Sequence, residues 1–274
     1  MSDAAAADAA LAEADRSLRA ADPERWRTTL FAGGVARARL VAIYAFNVEI
    51  ARVRETVSEP MLGQIRLQWW REAFDEIEAG KPARKHPLVE ALAAVRPDFG
   101  PLREAIDARE RDLDDAPFVD LAEMTAYAEG TGGSIARAAF GAPHPAARAI
   151  GTAYALAGML RALPFFARQR RTPLPLDAIA AAGLTPDAIH ENKAGSALRA
   201  VVEPVASRAA ALLAEARAHR VEKTSFAAAL PAKVAALALR RLADAGFDPF
   251  APALHRPHPG DIWRLWWAHS LRRF

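Results

Sequence analysis

The chain has 274 residues, 52% hydrophobic and 25% charged, enough apolar material for a sizeable core, which excludes disordered, collagen-like and fibrous classes. The absence of cysteine removes disulfides, thiolate metal sites, iron–sulfur ligation and a cysteine nucleophile. A net charge of +3, from 36 basic and 33 acidic residues, is too small an excess to point to nucleic acid.

Long Ala/Leu/Arg/Glu stretches and only three tyrosines favour helix over strand, and predict an all-α protein. An amphipathic run over 2–21 takes Ser2 as its N-cap, and Asp22-Pro23 opens a second helix that stops before Gly33-Gly34. Helices follow over 36–57, 59–78, 87–95 and 101–113, separated by Pro/Gly-bearing turns at 80–82 and 96–101. The next two, 120–140 and 144–169, are split by Gly141-Ala142-Pro143. Within the first of them, Gly130-Thr131-Gly132-Gly133 lacks the spacing of a phosphate loop and reads as a bend that admits a close neighbour. Pro173, Pro175, Gly183 and Pro186 divide 172–193 into two short helices, and helices over 195–220, 225–245 and 261–273 complete the chain. No segment reads as a linker, so a single helical domain over 1–274 is expected.

The apolar stretches 40–50 and 149–167 read as buried helices, because the first is short and holds Glu49 and the second is interrupted by Arg161. No basic, apolar leader opens the chain, so a cytoplasmic protein is expected. Of the seven histidines only His255 and His258 are close in sequence, and they read as solvated or capping groups rather than zinc ligands.

The informative residues lie in two long helices. The first carries Ile43-Tyr44-Ala45-Phe46-Asn47-Val48-Glu49-Ile50-Ala51-Arg52, then Glu55 and Leu67-Gln68-Trp69-Trp70-Arg71. The second carries Ala157-Gly158-Met159-Leu160-Arg161-Ala162-Leu163 and runs on to Arg168, Arg170, Arg171 and Leu174-Pro175. Together they resemble the squalene/phytoene synthase family, in which a YAFxRxxDDxxD helix precedes L-x-x-W-R and an LGxAxQLTNILRD helix precedes R-x-x-LP. Asp112-Leu113, Tyr127, the run 237–242 and Ile262-Trp263-Arg264-Leu265-Trp266 continue the resemblance in family order. The resemblance implies the isoprenoid synthase fold, a helical bundle with a central cavity.

That family joins two prenyl diphosphates head to head, with Mg²⁺ held by carboxylates on facing helices. Carried over residue by residue, the first motif's Arg falls on Val48 and its three Asp on Ala51, Arg52 and Glu55. The second motif's two Asp fall on Ala162 and Phe166. Only Glu55 is acidic, and no Asp or Glu lies between Arg148 and Leu176 to restore the second motif in another register. The expectation is a pseudoenzyme with no catalytic set, metal or cofactor. Its alternative is a Mg²⁺-dependent prenyltransferase using Glu55, Asp112 or other acids.

Positive charge is retained. Arg161 falls where the family has a diphosphate-contacting Arg, with Arg168, Arg170 and Arg171 in its basic stretch, so these four lead the candidates for binding a ligand's anionic head. Tyr127, Asp112, Arg52, Glu55 and Glu49 complete them. Each has a structural alternative: Glu49 and Arg52 form a helix-face ion pair, Arg161 pairs with a carboxylate from another helix, and Asp107, Asp112, Asp114 and Asp115 make a solvated face and turn. Phe165 and Phe166 are expected in the core, and one of Trp69 and Trp70 is expected to be more buried than the other.

Ala45–Glu49, Ser58-Glu59-Pro60, Gly63-Gln64-Ile65-Arg66, 107–115 and Tyr127-Ala128-Glu129 resemble a divergent branch of the family that includes an assembly factor for respiratory complex I, NADH:ubiquinone oxidoreductase. The branch implies complex I subunits or assembly intermediates as partners and a place on the inner face of the membrane that carries complex I; the helical cavity is expected to take a prenyl or lipid chain or a partner helix, or to be collapsed in a pure scaffold. At the basic C-terminal end, Trp263, Trp266 and Trp267 recur at helical spacing beside Arg264, Arg272 and Arg273. They are expected to dock on the body, or to leave one Trp exposed for weak contact with an anionic membrane.

Overall fold

Cap residues start the helices where the sequence places them. In the computed structural model, which describes residues 3–114, 116–256 and 258–274, Asp22 accepts the Arg25 N–H at 3.0 Å and Pro23 occupies the first turn that follows. His86-Pro87 and His144-Pro145 act alike: each imidazole Nδ1 accepts the backbone N–H two residues on, at 3.3 and 3.2 Å. Asp120 accepts from Glu123 N–H at 2.7 Å and caps the helix that follows, while the Glu123 carboxylate accepts from Val119 N–H, one residue before the cap, at 2.6 Å. Ser2 and Asp115 lie outside the described residues.

The first half comprises α1 (Asp3–Ala21), α2 (Pro23–Thr29), α3 (Gly34–Ala51), α4 (Val53–Thr56), α5 (Pro60–Glu78), α6 (Pro87–Val95) and α7 (Gly100–Arg109). A 3₁₀ turn (Glu110–Asp114) leads to α8 (Leu121–Ala128), a π turn (Glu129–Gly133) and α9 (Ser134–Phe140). Then come α10 (Pro145–Arg161), α11 (Leu163–Arg168), α12 (Leu176–Ala181), α13 (Pro186–His190), α14 (Leu198–Arg217), α15 (Phe226–Ala229), α16 (Pro231–Asp244) and α17 (Asp261–Leu271). The all-α expectation holds: the described residues contain no strand, only an isolated bridge between Phe118 and Pro175.

α10 is the hub, packing against α14, α16, α9 and the π turn. α3 is buried on every side from Leu40 to Asn47, which is why its sequence shows no polar stripe. Phe46 meets Trp70 and Phe74 with centroids 5.2 Å away in each case, and Trp70 is buried while Trp69 is half-buried. The glycine bend admits a neighbour as expected. A methyl on Gly132 would lie 2.4 Å from the Gly151 carbonyl, and one on Gly151 2.0 Å from that of Gly132.

Three expectations are corrected. The helix over 36–57 breaks at Arg52, whose N–H donates to Glu49 O at 3.3 Å in a tightened turn, and Glu59 is extended as the residue before Pro60 must be. The helix over 144–169 breaks at Ala162, two residues before Pro164, which lacks the N–H to continue it. On α17 the tryptophans do not dock. Leu265 and Ala268 make the inner face, while Trp263, Trp266 and Trp267 are 66%, 46% and 56% exposed. The Arg241–Asp261 ion pair fixes the start of α17 against α16, and Arg217 Nε donates to Phe274 O at 2.6 Å. No described helix is long and apolar enough to cross a membrane.

Candidate functional site

A cavity of about 370 Å³ opens among α2, the α3–α4 break, the 3₁₀ turn, α8 with its π turn, and α10–α11. Small residues on α10, Ala155 and Gly158, together with Ala162 just beyond it, create the space, and Phe118, Met159, Phe165 and Phe166 form apolar wall. Seven arginines line it. Arg25 and Arg161 are on the α2/α10 side, Arg52 and Arg54 at the α3–α4 break, and Arg109, Arg111 and Arg171 opposite. The lining carboxylates are Asp22, Glu55 and Asp112.

On the α2/α10 side, Arg25 is 7% exposed and its guanidinium lies over the rings of Tyr44 and Tyr154, 5.1 and 4.4 Å from their centroids. Its Nε is 3.3 Å from the Asp22 carboxylate, which also accepts from Tyr154 Oη at 3.3 Å. Burial opposes the Arg25 charge, but Tyr154, Asp22 and Tyr44 outweigh it and hold the guanidinium above its ordinary pKa. Burial pushes the Tyr154 phenol up to about 12 and raises that of Tyr44 as well. Arg161 pairs with Glu24 of α2, so the alternative of a carboxylate partner from another helix is realised at a residue that also lines the cavity.

The opposite side is a second network. Arg109 donates to Asp112 at 3.0 Å and to Tyr127 Oη at 2.6 Å, and Tyr127 Oη donates to Asp112 at 2.6 Å. Burial raises the Tyr127 phenol. Arg111 stacks on Phe118 at 4.0 Å and binds Glu123 at 2.8 Å, while Arg171 stacks on Phe166 at 5.5 Å. These bonds decide what the acids can do. Asp22 and Asp112 are already engaged by arginine and tyrosine, and Glu55 lies exposed at the rim. Among the described residues no group of three or more His, Asp or Glu could hold a metal ion. The donor set does not fit a Mg²⁺ cluster, which needs several hard oxygens converging on one point.

Residues 18–264 match the family model for squalene/phytoene synthase. The chain belongs to the squalene/phytoene synthase family. It is 32% identical over 252 residues to NADH dehydrogenase (ubiquinone) complex I, assembly factor 6 of Bos taurus, covering 87% of this chain and 75% of that one. It is 24% identical over 222 residues to the chloroplastic phytoene synthase of Daucus carota, covering 74% of this chain and 56% of that one. A crystal structure of a dehydrosqualene synthase superposes with a TM-score of 0.80 at 15% identity over 97% of both chains, and has the same all-α isoprenoid synthase fold.

Within this squalene/phytoene synthase fold, Arg52, Glu55, Asp112, Tyr127, Arg161 and Arg171 line the cavity, as do Ala51, Ala162 and Phe166 at positions that the resemblance assigns to metal-binding Asp. Other candidates lie elsewhere. Val48 packs against the core, and Glu49 is exposed away from the cavity with no ion pair to Arg52; the break after Ala51 turns Arg52 out of the α3 register. Arg168 is exposed and Arg170 binds Asp187 of α13 at 2.5 Å, because the new helix begun at Leu163 carries them away from the cavity. Phe165 and Phe166 are cavity wall rather than core, Phe165 being 37% exposed. Sequence reasoning missed Arg25, Tyr154, Arg109 and Arg111. The i,i+3 pairs Asp22–Arg25 and Arg109–Asp112 were the available signal.

Proposed function

We propose that this chain is a non-catalytic assembly factor for NADH:ubiquinone oxidoreductase whose cavity holds an amphiphile by its anionic end instead of joining two prenyl diphosphates. The observation that carries this reading is the makeup of the cavity: seven arginines, and Glu55 as the one acid at the positions where the family resemblance expects aspartate. Arginine receives an oxyanion but cannot recruit Mg²⁺, and ionising a diphosphate needs the metal's charge on the leaving group. The similarity to the Bos taurus assembly factor along 87% of the chain supports the partner: complex I subunits or their assembly intermediates. The competing reading, a Mg²⁺-dependent prenyltransferase with altered ligands, requires carboxylates that Asp22 and Asp112 do not offer while bonded to Arg25, Tyr154, Arg109 and Tyr127.

Deleting the gene in its own cell is expected to lower the amount of assembled NADH:ubiquinone oxidoreductase on native gels. Restoring it with wild type or with Glu55→Gln should recover the complex equally. Recovery by wild type alone would point to carboxylate-dependent chemistry.

The exposed tryptophans of α17 favour a location on the membrane that carries this partner. Trp263, Trp266, Trp267 and Leu271 are exposed together, with Arg264, Arg272 and Arg273 beside them, a combination suited to the headgroup region. A few basic residues at ~1 kcal/mol each give reversible, salt-sensitive contact. Co-sedimentation that favours anionic over neutral vesicles at low salt is the expected result, and equal partition would remove the membrane contact.

A further inference from the structure

Arg71, Arg84 and Arg103 each hold two carboxylates. The end of the molecule at the C-terminus of α17 is different. There Arg220, Glu222, Lys223 and Thr224, from the loop between α14 and α15, line an open depression together with Arg272. Buried Val221 and Phe226 pin that loop, and Arg220 O lies 3.2 Å from His144 Nε2, so Arg220 and the side chains from Glu222 to Thr224 are turned out and exposed. Among the described residues none of these three cations has a carboxylate partner, and Glu222 is the one acid lining the depression.

The excess charge is felt next door. The His269 ring packs on Phe31 and Phe226 with centroids 5.2 and 5.9 Å away, and its buried Nδ1 has no hydrogen-bond partner. Burial, then Lys223 and Arg272, hold its pKa below the ordinary value. Like charges gathered without a counter-charge suit an external anion, and guanidinium with ammonium groups offers the several charged donors that a phosphate takes. The neighbours of the cluster indicate where that phosphate comes from. Arg272 directly follows Leu271, and Trp267 lies about 8 Å back along the helix. Both are exposed, as are Trp263 and Trp266. A free phosphate ion gives these indoles nothing to contact, whereas the headgroup region of an anionic bilayer receives indoles and cations at one level.

We propose that Arg220, Lys223 and Arg272 form a site for the phosphate of an anionic lipid, built by the α14–α15 loop beside α17 and engaged while the tryptophans enter the headgroup region. This rests on the reading of α17 as a membrane contact and adds a second element, which selects the charge of the lipid.

Co-sedimentation of the full chain at low salt tests it with two kinds of vesicle, phosphatidylcholine alone and phosphatidylcholine with about one-third phosphatidylglycerol. Arg220→Gln/Lys223→Gln should lower partition onto the anionic vesicles about tenfold and leave partition onto phosphatidylcholine unchanged. Trp267→Ala should lower both. Lys193→Gln/Arg199→Gln removes the same charge at the other end of α14, about 30 Å away, and should change anionic partition less than about twofold. All of these side chains are exposed, so each variant should unfold in urea at the wild-type midpoint. A loss in Arg220→Gln/Lys223→Gln no larger than in the distant pair would overturn the proposal and leave the α17 contact standing. Equal partition of the wild type onto both vesicles would remove the α17 contact and this proposal with it.

Discussion

Gly151 and Gly158 lie seven residues apart on nearly the same face of α10, two turns along the helix, and meet opposite surroundings. At Gly151 the backbone of the π turn is so close that a methyl would strike the Gly132 carbonyl. At Gly158 a methyl would find nothing within 4 Å. One glycine lets two backbones touch, and the other leaves room for a ligand. Small residues along a helix therefore do not declare their purpose; what faces them decides it.

Substitutions along this line sharpen the contrast. Gly151→Ala should cost about 3 kcal/mol or more, since backbone rather than a flexible side chain blocks the methyl; urea denaturation measures it, and a loss below about 1 kcal/mol would mean that the seam relaxes easily. The next effect is alkaline. All three tyrosines, 44, 127 and 154, titrate above their ordinary value because of burial. The folded state then keeps its phenolic protons longer than the unfolded state, so stability is full below pH ~10 and falls as pH rises through the folded values. For Tyr154, raised to about 12, the loss approaches about 2–3 kcal/mol at that pH. Phenolate absorbance should stay absent near pH 10 in the folded protein and appear there in urea.

Smaller effects test the rest of the cavity. Arg161→Ala leaves Glu24 without its partner, and because both are about one-third exposed the cost should be about 1–2 kcal/mol rather than that of a fully buried pair. Much of it should return in Arg161→Ala/Glu24→Ala, and a double-mutant cycle reads the coupling. Gly158→Ala should stabilise by about 0.5–1 kcal/mol through helix propensity alone. A destabilised Gly158→Ala would show that the space beside it is not open.

Legibility followed distance. Asp22-Pro23, His86-Pro87 and His144-Pro145 announce helix starts in two adjacent residues, and the structure caps each of those helices. The all-α fold followed from composition, and the resemblance carried on α3 and α10 led to the cavity between them. Arg25 was not legible, because its surroundings depend on Tyr154, whose contact with Asp22 spans 132 residues. Arg168 and Arg170 were misplaced because their register depends on a helix break next to Pro164 rather than on a motif. The tryptophans of α17 were misread for a related reason. Leu265 and Ala268 have the same helical spacing as an aromatic docking stripe, and which face turns inward is decided by the Arg241–Asp261 pair and by α16.

The claim that matters most is that this cavity binds without condensing. The direct measurement incubates the purified chain with farnesyl and geranylgeranyl diphosphates, with Mg²⁺ and with EDTA, and separates the apolar products by chromatography. No carbon–carbon condensation product should form in either condition. A product that appears with Mg²⁺ and vanishes in EDTA would contradict the account.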